Sequence, residues 1–424
     1  MKHLSKLLCV LLSVVFSLSV AFSLTACNNT YEIADNDEEI VQQITALQAK
    51  IDALSTKISD MEKEEEKEPE PAIAFDYGEE CYAKIQYIDK VLSDRDCYKG
   101  ANYKLTEKWI LWNLYEAGYS ADEAFTSPFV VTNYYKEANY ADLKTSLSAV
   151  ESYELADELH YKRAGRNYVA DENGEYIKVN VTMNNIVAIK KGLTDEQIII
   201  GAHFDGDGTG DNGSGIALGL TTAQHFYGVE TYYTLVFVFF NAEEVGCKGS
   251  TAYANAMTEE QIAKTKYMIN MDSLVCGDYC NLYGGVQDDE TQTVKDTEAY
   301  DNAMKVAESI GIEFHTNPWT YENPAPGYET PDYASPSTGD WSDHEGFKNI
   351  GIKYLYFEAT NWYIPGPYYE YDGYGETYLI GMLMNTKNDY LEYIETYFPG
   401  RVKSHITKFS ALLNALLMQS ELDF

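Results

Sequence analysis

Six residues form a set by type: His203, Asp211, Glu243, Glu244, Asp272 and His344, with Asp205 two positions beyond the first histidine. They bring imidazoles and carboxylates together without thiolates. That donor set suits zinc or a similar divalent ion in a hydrolytic site. Taken singly, each has a plain alternative. A histidine at a strand end is ordinarily surface or core, and Glu243-Glu244 reads equally well as a pair of solvated acids. Asp211, ahead of Asn-Gly-Ser-Gly, is good capping and turn chemistry for a following helix. What lifts the set above these readings is where the chain places its members.

Residues 198–202 and 233–240 are short apolar runs, followed by helix-like stretches at 215–227 and 250–257. Further runs at 266–271 and 351–357, with a helical stretch at 299–310, continue the alternation. Residues 79–118 read as helices stopped by Gly118, and 389–420 as closing helices interrupted at Pro399-Gly400. The alternating, β-branched run 176–190 reads as a strand pair. Continuous apolar strands between helices argue for an α/β fold, one mostly parallel central sheet flanked by helices on both faces. Ligands bind such sheets beyond the carboxyl ends of the strands. His203 and Asp205 follow the run ending at 202, Glu243 and Glu244 the run ending at 240, and Asp272 the run ending at 271. Asp211 opens a turn into a helix, and Asp343-His344 lies in a Gly/Pro/Ser-rich loop before another strand. Unrelated solvated loops would not bring acids and histidines so regularly to one edge.

The blocks Gly201-Ala202-His203-Phe204-Asp205, Asp211-Asn212-Gly213-Ser214-Gly215, Glu243-Glu244-Val245-Gly246 with Gly249-Ser250, Asn270-Met271-Asp272 and Ser342-Asp343-His344 occur in this order. Together they resemble the M28 family of zinc aminopeptidases and carboxypeptidases, over roughly residues 180–420. The resemblance implies a zinc-exopeptidase-like fold and two zinc ions per chain. One would be held by His203, Asp211 and Asp272, the other by Asp211, Glu244 and His344, with Asp211 shared. Glu243 would be the general base, and Asp205 would assist by bracing His203 or the metal shell. Only seven residues separate His203 from Asp211, fewer than the family pattern leads one to expect, although Gly206-Asp207-Gly208-Thr209-Gly210 is glycine-rich enough to bend tightly. The expected activity is exopeptidase, an aminopeptidase before a carboxypeptidase, acting on peptides. The aromatic and acidic loops 319–341 and 362–374 are candidates for a pocket taking an apolar or cationic N-terminal residue. The alternatives are a single-zinc enzyme like the glutaminyl cyclases, which share the fold, and a catalytically silent, surface-tethered binding lipoprotein. His160, His225, His315 and His405 are left as structural, and Asp207, Asp278, Asp340 and Asp343 without a role.

The rest of the chain concerns delivery. Residues 1–26 carry Lys2, Lys6 and an apolar run, a signal peptide ending in Leu24-Thr25-Ala26-Cys27. Those last four residues resemble the lipobox of bacterial lipoproteins, which implies an exported protein anchored to the membrane through a lipidated Cys27. Residues 27–71 read as linker and stalk. Ile40, Ile44, Leu47, Ile51, Leu54, Ile58 and Met61 recur at alternating spacings of four and three, a coiled-coil seam whose pattern favours a parallel dimer. The alternative is a lone amphipathic helix, and a charged, proline-punctuated hinge follows at 62–71. Residues 72–424 form the catalytic-sized domain. With 67 Asp and Glu against 31 Lys and Arg, the net charge is −36, which argues against nucleic-acid partners. Of seven cysteines, Cys81, Cys97, Cys247, Cys276 and Cys280 remain beyond Cys9 and Cys27, too few for a disulfide framework. Cys276 and Cys280 read as a local disulfide or as buried thiols.

Overall fold

A computed structural model describes residues 77–97, 100–136, 163–164, 167–168, 176–364, 375–420 and 422. The expected signal peptide, the expected lipidation site Cys27, the expected stalk, His160 and residues 365–374 of the second aromatic loop lie outside the described residues.

Two helices open the described chain, α1 (Gly78–Val91) and α2 (Tyr103–Ala117). Gly118 ends α2 with φ at 114°, a left-handed conformation that glycine adopts without steric cost. The strands are β1 (Ala124–Lys136), β2 (Arg163–Ala164), β3 (Asn167–Tyr168), β4 (Tyr176–Lys190), β5 (Gln197–His203), β6 (Thr234–Phe240), β7 (Thr265–Met271), β8 (Tyr279–Tyr283), β9 (Val286–Asp288), β10 (Thr293–Lys295) and β11 (Tyr354–Thr360). Between and after them come α3 (Gly213–Phe226), α4 (Lys248–Ala256), α5 (Glu259–Lys264), α6 (Glu298–Ser309), α7 (His344–Lys348), α8 (Leu391–Tyr397) and α9 (Arg401–Leu417).

Seven strands form the central sheet in the order β1-β4-β6-β5-β7-β11-β8. The four inner strands β6, β5, β7 and β11 run parallel, and antiparallel pairs close both sides. The inner strands are largely apolar because both faces are covered, with polar residues such as His203, Asn270 and Glu358 toward their carboxyl ends. Ile198, Ile200, Leu235, Phe237, Phe239, Tyr267 and Ile269 pack on one face in a core with residues of α1, α2, α3, α6 and α9. Their neighbours Ile199, Val236, Val238, Phe240 and Met268 pack on the other, with Ala254 of α4 and Phe347 of α7.

Two expectations need correction. Residues 176–190 form one long strand and not a strand pair. The antiparallel partner of β4 is β1, which places Pro128 opposite Asn184 on the sheet's edge strand, where a missing N–H is tolerated. The strand expected at 351–357 begins at Tyr354 and extends to Thr360, so that Glu358 belongs to it. Among the described residues, Cys81, Cys97, Cys247, Cys276 and Cys280 are buried and form no disulfide. No helix among the described residues is long and apolar enough to cross a membrane.

Candidate metal centre

His203 is the last residue of β5 and is fully buried. Its Nε2 lies 3.2 Å from Asp211 Oδ1 and 3.2 Å from Asp272 Oδ1. Among the described residues, His203, Asp211 and Asp272 make the one group whose ligand atoms all fall within 4.8 Å of each other. A tetrahedral zinc ion with N and O ligands at its usual distances spaces those atoms roughly 3.3–3.6 Å apart. The imidazole and two carboxylates therefore fit the ion in both chemistry and spacing.

Each ligand is held by the local chain. Asp272 directly follows β7; its Oδ2 accepts from Ser342 Oγ at 2.7 Å and its Oδ1 from Ser273 Oγ at 3.2 Å. Asn270 Nδ2 donates to Ser342 Oγ, tying the Asn270-Met271-Asp272 block to the Ser342-Asp343-His344 block. Asp211 does not cap α3. Asn212 does, its Oδ1 accepting from Gly215 N at 3.0 Å, which leaves the Asp211 carboxylate to face His203. Asp389 accepts the backbone amides of Gly210 and Asp211 at 2.7 and 2.9 Å. Gly208 is required there, because a Cβ on it would lie 2.1 Å from Asp389 Oδ2 and 2.3 Å from the Asp211 carbonyl.

Glu243 and Glu244 sit in the turn after β6. Glu243 Oε2 is 3.9 Å from His203 Nε2, and Cys247 Sγ donates to Glu243 Oε1 at 3.4 Å. Glu244 Oε1 approaches the same loop as Asp211 closely enough to come 2.4 Å from a Cβ placed on Gly206. Asp205 is buried, and its carboxylate accepts the amides of Glu243 at 3.1 Å and Glu244 at 3.3 Å. Toward His203 Nδ1 it presents its backbone carbonyl at 3.3 Å, with Oδ1 at 3.7 Å. Asp205 thus joins the His203 loop to the Glu243 turn. His344 begins α7 away from the three-ligand group. Its Nε2 lies 3.1 Å from the Gly339 carbonyl, and its ring packs on Tyr354 and Tyr356 with centroids 4.5 and 4.9 Å apart. Those tyrosines belong to an aromatic cluster with Tyr283 and Trp362, joined by Trp319, Tyr333 and Trp341, so Trp362 meets the 319–341 loop beside His344.

The electrostatics show which charge the site wants. Burial pushes Glu243 well above the usual carboxylate range; His203 pulls it down, while Asp272, Asp343 and Asp211 push it further up. Glu244 is raised well above by burial, then by Asp211 and Glu243. Burial and Asp272 also raise Asp211. Burial alone would lower His203, yet Asp272, Glu243 and the hydrogen bonds its ring donates to Asp205 and Asp211 hold it well above its ordinary value. Asp272 is lowered, since His203, Ser342 and Ser273 overcome the effect of burial. One imidazole thus faces the buried carboxylates of Asp205, Asp211 and Asp272 and the partly buried one of Glu243, a balance that a divalent cation would complete.

Several further residues of the site have no role assigned from the sequence. Burial raises Asp389 to about 7, against the lowering effect of the two amides it holds. Glu358, on β11, is pushed up to about 8 by burial and by Asp272, and Tyr356 donates to it at 3.0 Å. Asp343 rises to about 7 through burial, opposed chiefly by His203. Arg95, between α1 and α2, is fully buried beside the His203–Asp211 loop. His225, His315 and His405 lie elsewhere: His225 meets Glu80 on the surface, His315 packs on Tyr279, and His405 is buried in α9. Of the acids left without a role, Asp207 is exposed in that loop, Asp278 pairs with Arg401 and Asp340 with Lys348.

Residues 184–379 match the profile of Peptidase family M28. Over 201 residues the chain is 30% identical to the alkaline phosphatase isozyme conversion protein of Escherichia coli (strain K12), covering 43% of this chain and 54% of that one. Over 153 residues it is 31% identical to a probable leucine aminopeptidase 2 of Trichophyton verrucosum (strain HKI 0517), covering 30% of each. The chain therefore spans about half the length of the first relative and under a third of the second. Among solved structures, the zinc aminopeptidase BSAP from Bacillus subtilis superposes with a TM-score of 0.52 at 16% identity, over 83% of this chain and 97% of that one. At that identity the likeness is one of fold.

Proposed function

We propose that the chain is a zinc-dependent exopeptidase of family M28, acting on the free amino end of peptides. The observation that carries the reading is the approach of Asp211 and Asp272 to one nitrogen of His203, each at 3.2 Å, at the carboxyl edge of the sheet. His203, Asp211 and Asp272 hold one ion; Asp211, Glu244 and His344 are assigned to a second. Bound zinc supplies polarisation of the scissile carbonyl and a water of lowered pKa. Glu243 takes the proton from that water and passes it to the leaving amine. Asp205 fixes the turn from which Glu243 and Glu244 project, and Ser342 and Ser273 fix Asp272.

Preference for an amino end rests on the sign of the site. Its buried acids suit a substrate ammonium. Arg95, the cation facing Asp205, Asp207, Asp211 and Asp389, spends its N–H groups on backbone carbonyls and offers no clamp for a substrate carboxylate. The proposal includes export, tethering through a lipidated Cys27 and pairing through residues 40–61, all supported by the sequence pattern.

Elemental analysis of residues 28–424 after mild dialysis, alongside turnover of unblocked and N-acetylated peptides, tests the reading. About two zinc ions per chain and hydrolysis of unblocked peptides alone are expected. About one ion would confine the metal to the His203–Asp211–Asp272 group. No zinc, and none regained on addition, would overturn the enzyme reading.

A further inference from the structure

We infer that Arg95 is a positioning residue for the metal ligands, acting through the backbone of the loop that joins His203 to Asp211. The inference rests on the zinc reading above. Two of the three clustered ligands stand at the ends of this loop, so its shape sets their separation. Arg95 reaches it from the segment after α1, more than 100 residues away in sequence. Its Nε donates to the Phe204 carbonyl at 3.2 Å and its Nη2 to the Gly208 carbonyl at 2.7 Å. Its Nη1 donates to the Leu92 carbonyl at 3.0 Å, which anchors the guanidinium to the end of α1.

The loop is gripped in both polarities. Arg95 fixes carbonyls at residues 204 and 208, and Asp389 fixes amides at 210 and 211. Thr209 adds a third tie, its hydroxyl donating to Asp89 at 2.6 Å and its amide to the Asp389 carbonyl at 3.0 Å. Peptide planes held from both sides have little freedom to reorient. The guanidinium also sets a positive charge against Asp205, Asp207, Asp211 and Asp389, acids that would otherwise repel and spread the loop. A planar fork spans two carbonyls in a way that a lysine ammonium does not reproduce. The ligands are thus set at metal-binding separation before the ion arrives, and less binding energy goes into ordering them.

Two substitutions separate fork from charge. Arg95→Lys keeps the charge and loses the fork, and Arg95→Gln loses both. Zinc dissociation constants would be measured by competition with a chromophoric chelator, at a temperature where circular dichroism shows the variants folded. The expected result is zinc binding weakened about 10- to 100-fold in Arg95→Lys, the range for residues that orient metal ligands, and further in Arg95→Gln. A purely structural residue would lower the melting temperature and leave zinc affinity within about twofold, which overturns the inference. Should neither variant fold, the wild type decides through exchange of the Arg95 Nε–H followed by NMR. Protection already present without zinc supports the inference, and protection appearing only with zinc overturns it. Wild-type protein that binds no zinc would bring down the metal reading itself; equal binding by wild type and Arg95→Lys brings down this inference alone.

Discussion

Neighbours in sequence, Glu243 and Glu244 send their carboxylates to different places. Glu243 faces His203 and Cys247, while Glu244 turns toward Gly206 in the loop ahead of Asp211. The proposed division into base and ligand needs such a divergence. Glu243→Gln keeps shape and volume and removes the proton acceptor, so kcat should fall about 10²- to 10⁴-fold with zinc content unchanged. A fall of less than about tenfold would remove Glu243 from the proton transfer. Ser342 makes the complementary case. Its hydroxyl reaches Asp272 at 2.7 Å without being placed to bind the ion. Ser342→Ala should weaken zinc binding about 10- to 100-fold while pH dependence of kcat stays put; unchanged affinity by chelator competition would refute that role. The sequence could nominate these residues because they stand within motif blocks. It could not show that Asn212, and not Asp211, caps α3, because either side chain suits that position.

The elements that were legible in the sequence are those whose environment leaves a one-dimensional trace. Strands β5, β6 and β7 are buried on both faces and read as short, mainly apolar runs, and α3 and α9 as helix-like stretches between or after them. β1 left no comparable trace because its partner is decided by register with β4 across some fifty residues. Arg95 was invisible for the same reason: its contacts with the metal loop cross more than 100 residues. His405 on α9 shows what such an element does with a buried titratable group. Burial, helped by the charges of Arg401 and Lys408, pushes it down to about 3, and its Nδ1 lies 3.3 Å from the Leu274 carbonyl. Between pH 6.5 and about 3 the unfolded chain takes up a proton that the folded one refuses. Stability contributed by neutral His405 is therefore full above pH 6.5 and lost as the pH falls toward 3. His405→Gln removes this term. Its urea midpoint should drop less than that of the wild type between about pH 7 and pH 4.5, and parallel drops would show that His405 does not titrate in this way.

At the scale of the whole molecule the dominant quantity is charge. Residues 1–71 hold six lysines and 13 acids, so −29 of the net −36 belongs to residues 72–424. The field is therefore a property of the catalytic-sized unit and not only of its acidic hinge. A strong excess of acids over bases draws cationic substrates from solution and repels anionic ones. The effect acts on encounter, and salt screens it once the Debye length falls below the size of the site, to about 3 Å at 1 M. For peptides beginning with lysine or arginine, kcat/KM should fall about tenfold or more between low and high salt, mostly through KM. Uncharged side chains, as in leucyl peptides, should show a smaller fall, since only their terminal ammonium is steered. Steady-state assays of a lysyl and a leucyl peptide across a salt series check this directly. Parallel curves would mean that the acidity serves solubility and the buried site alone, with no part in selecting what reaches it.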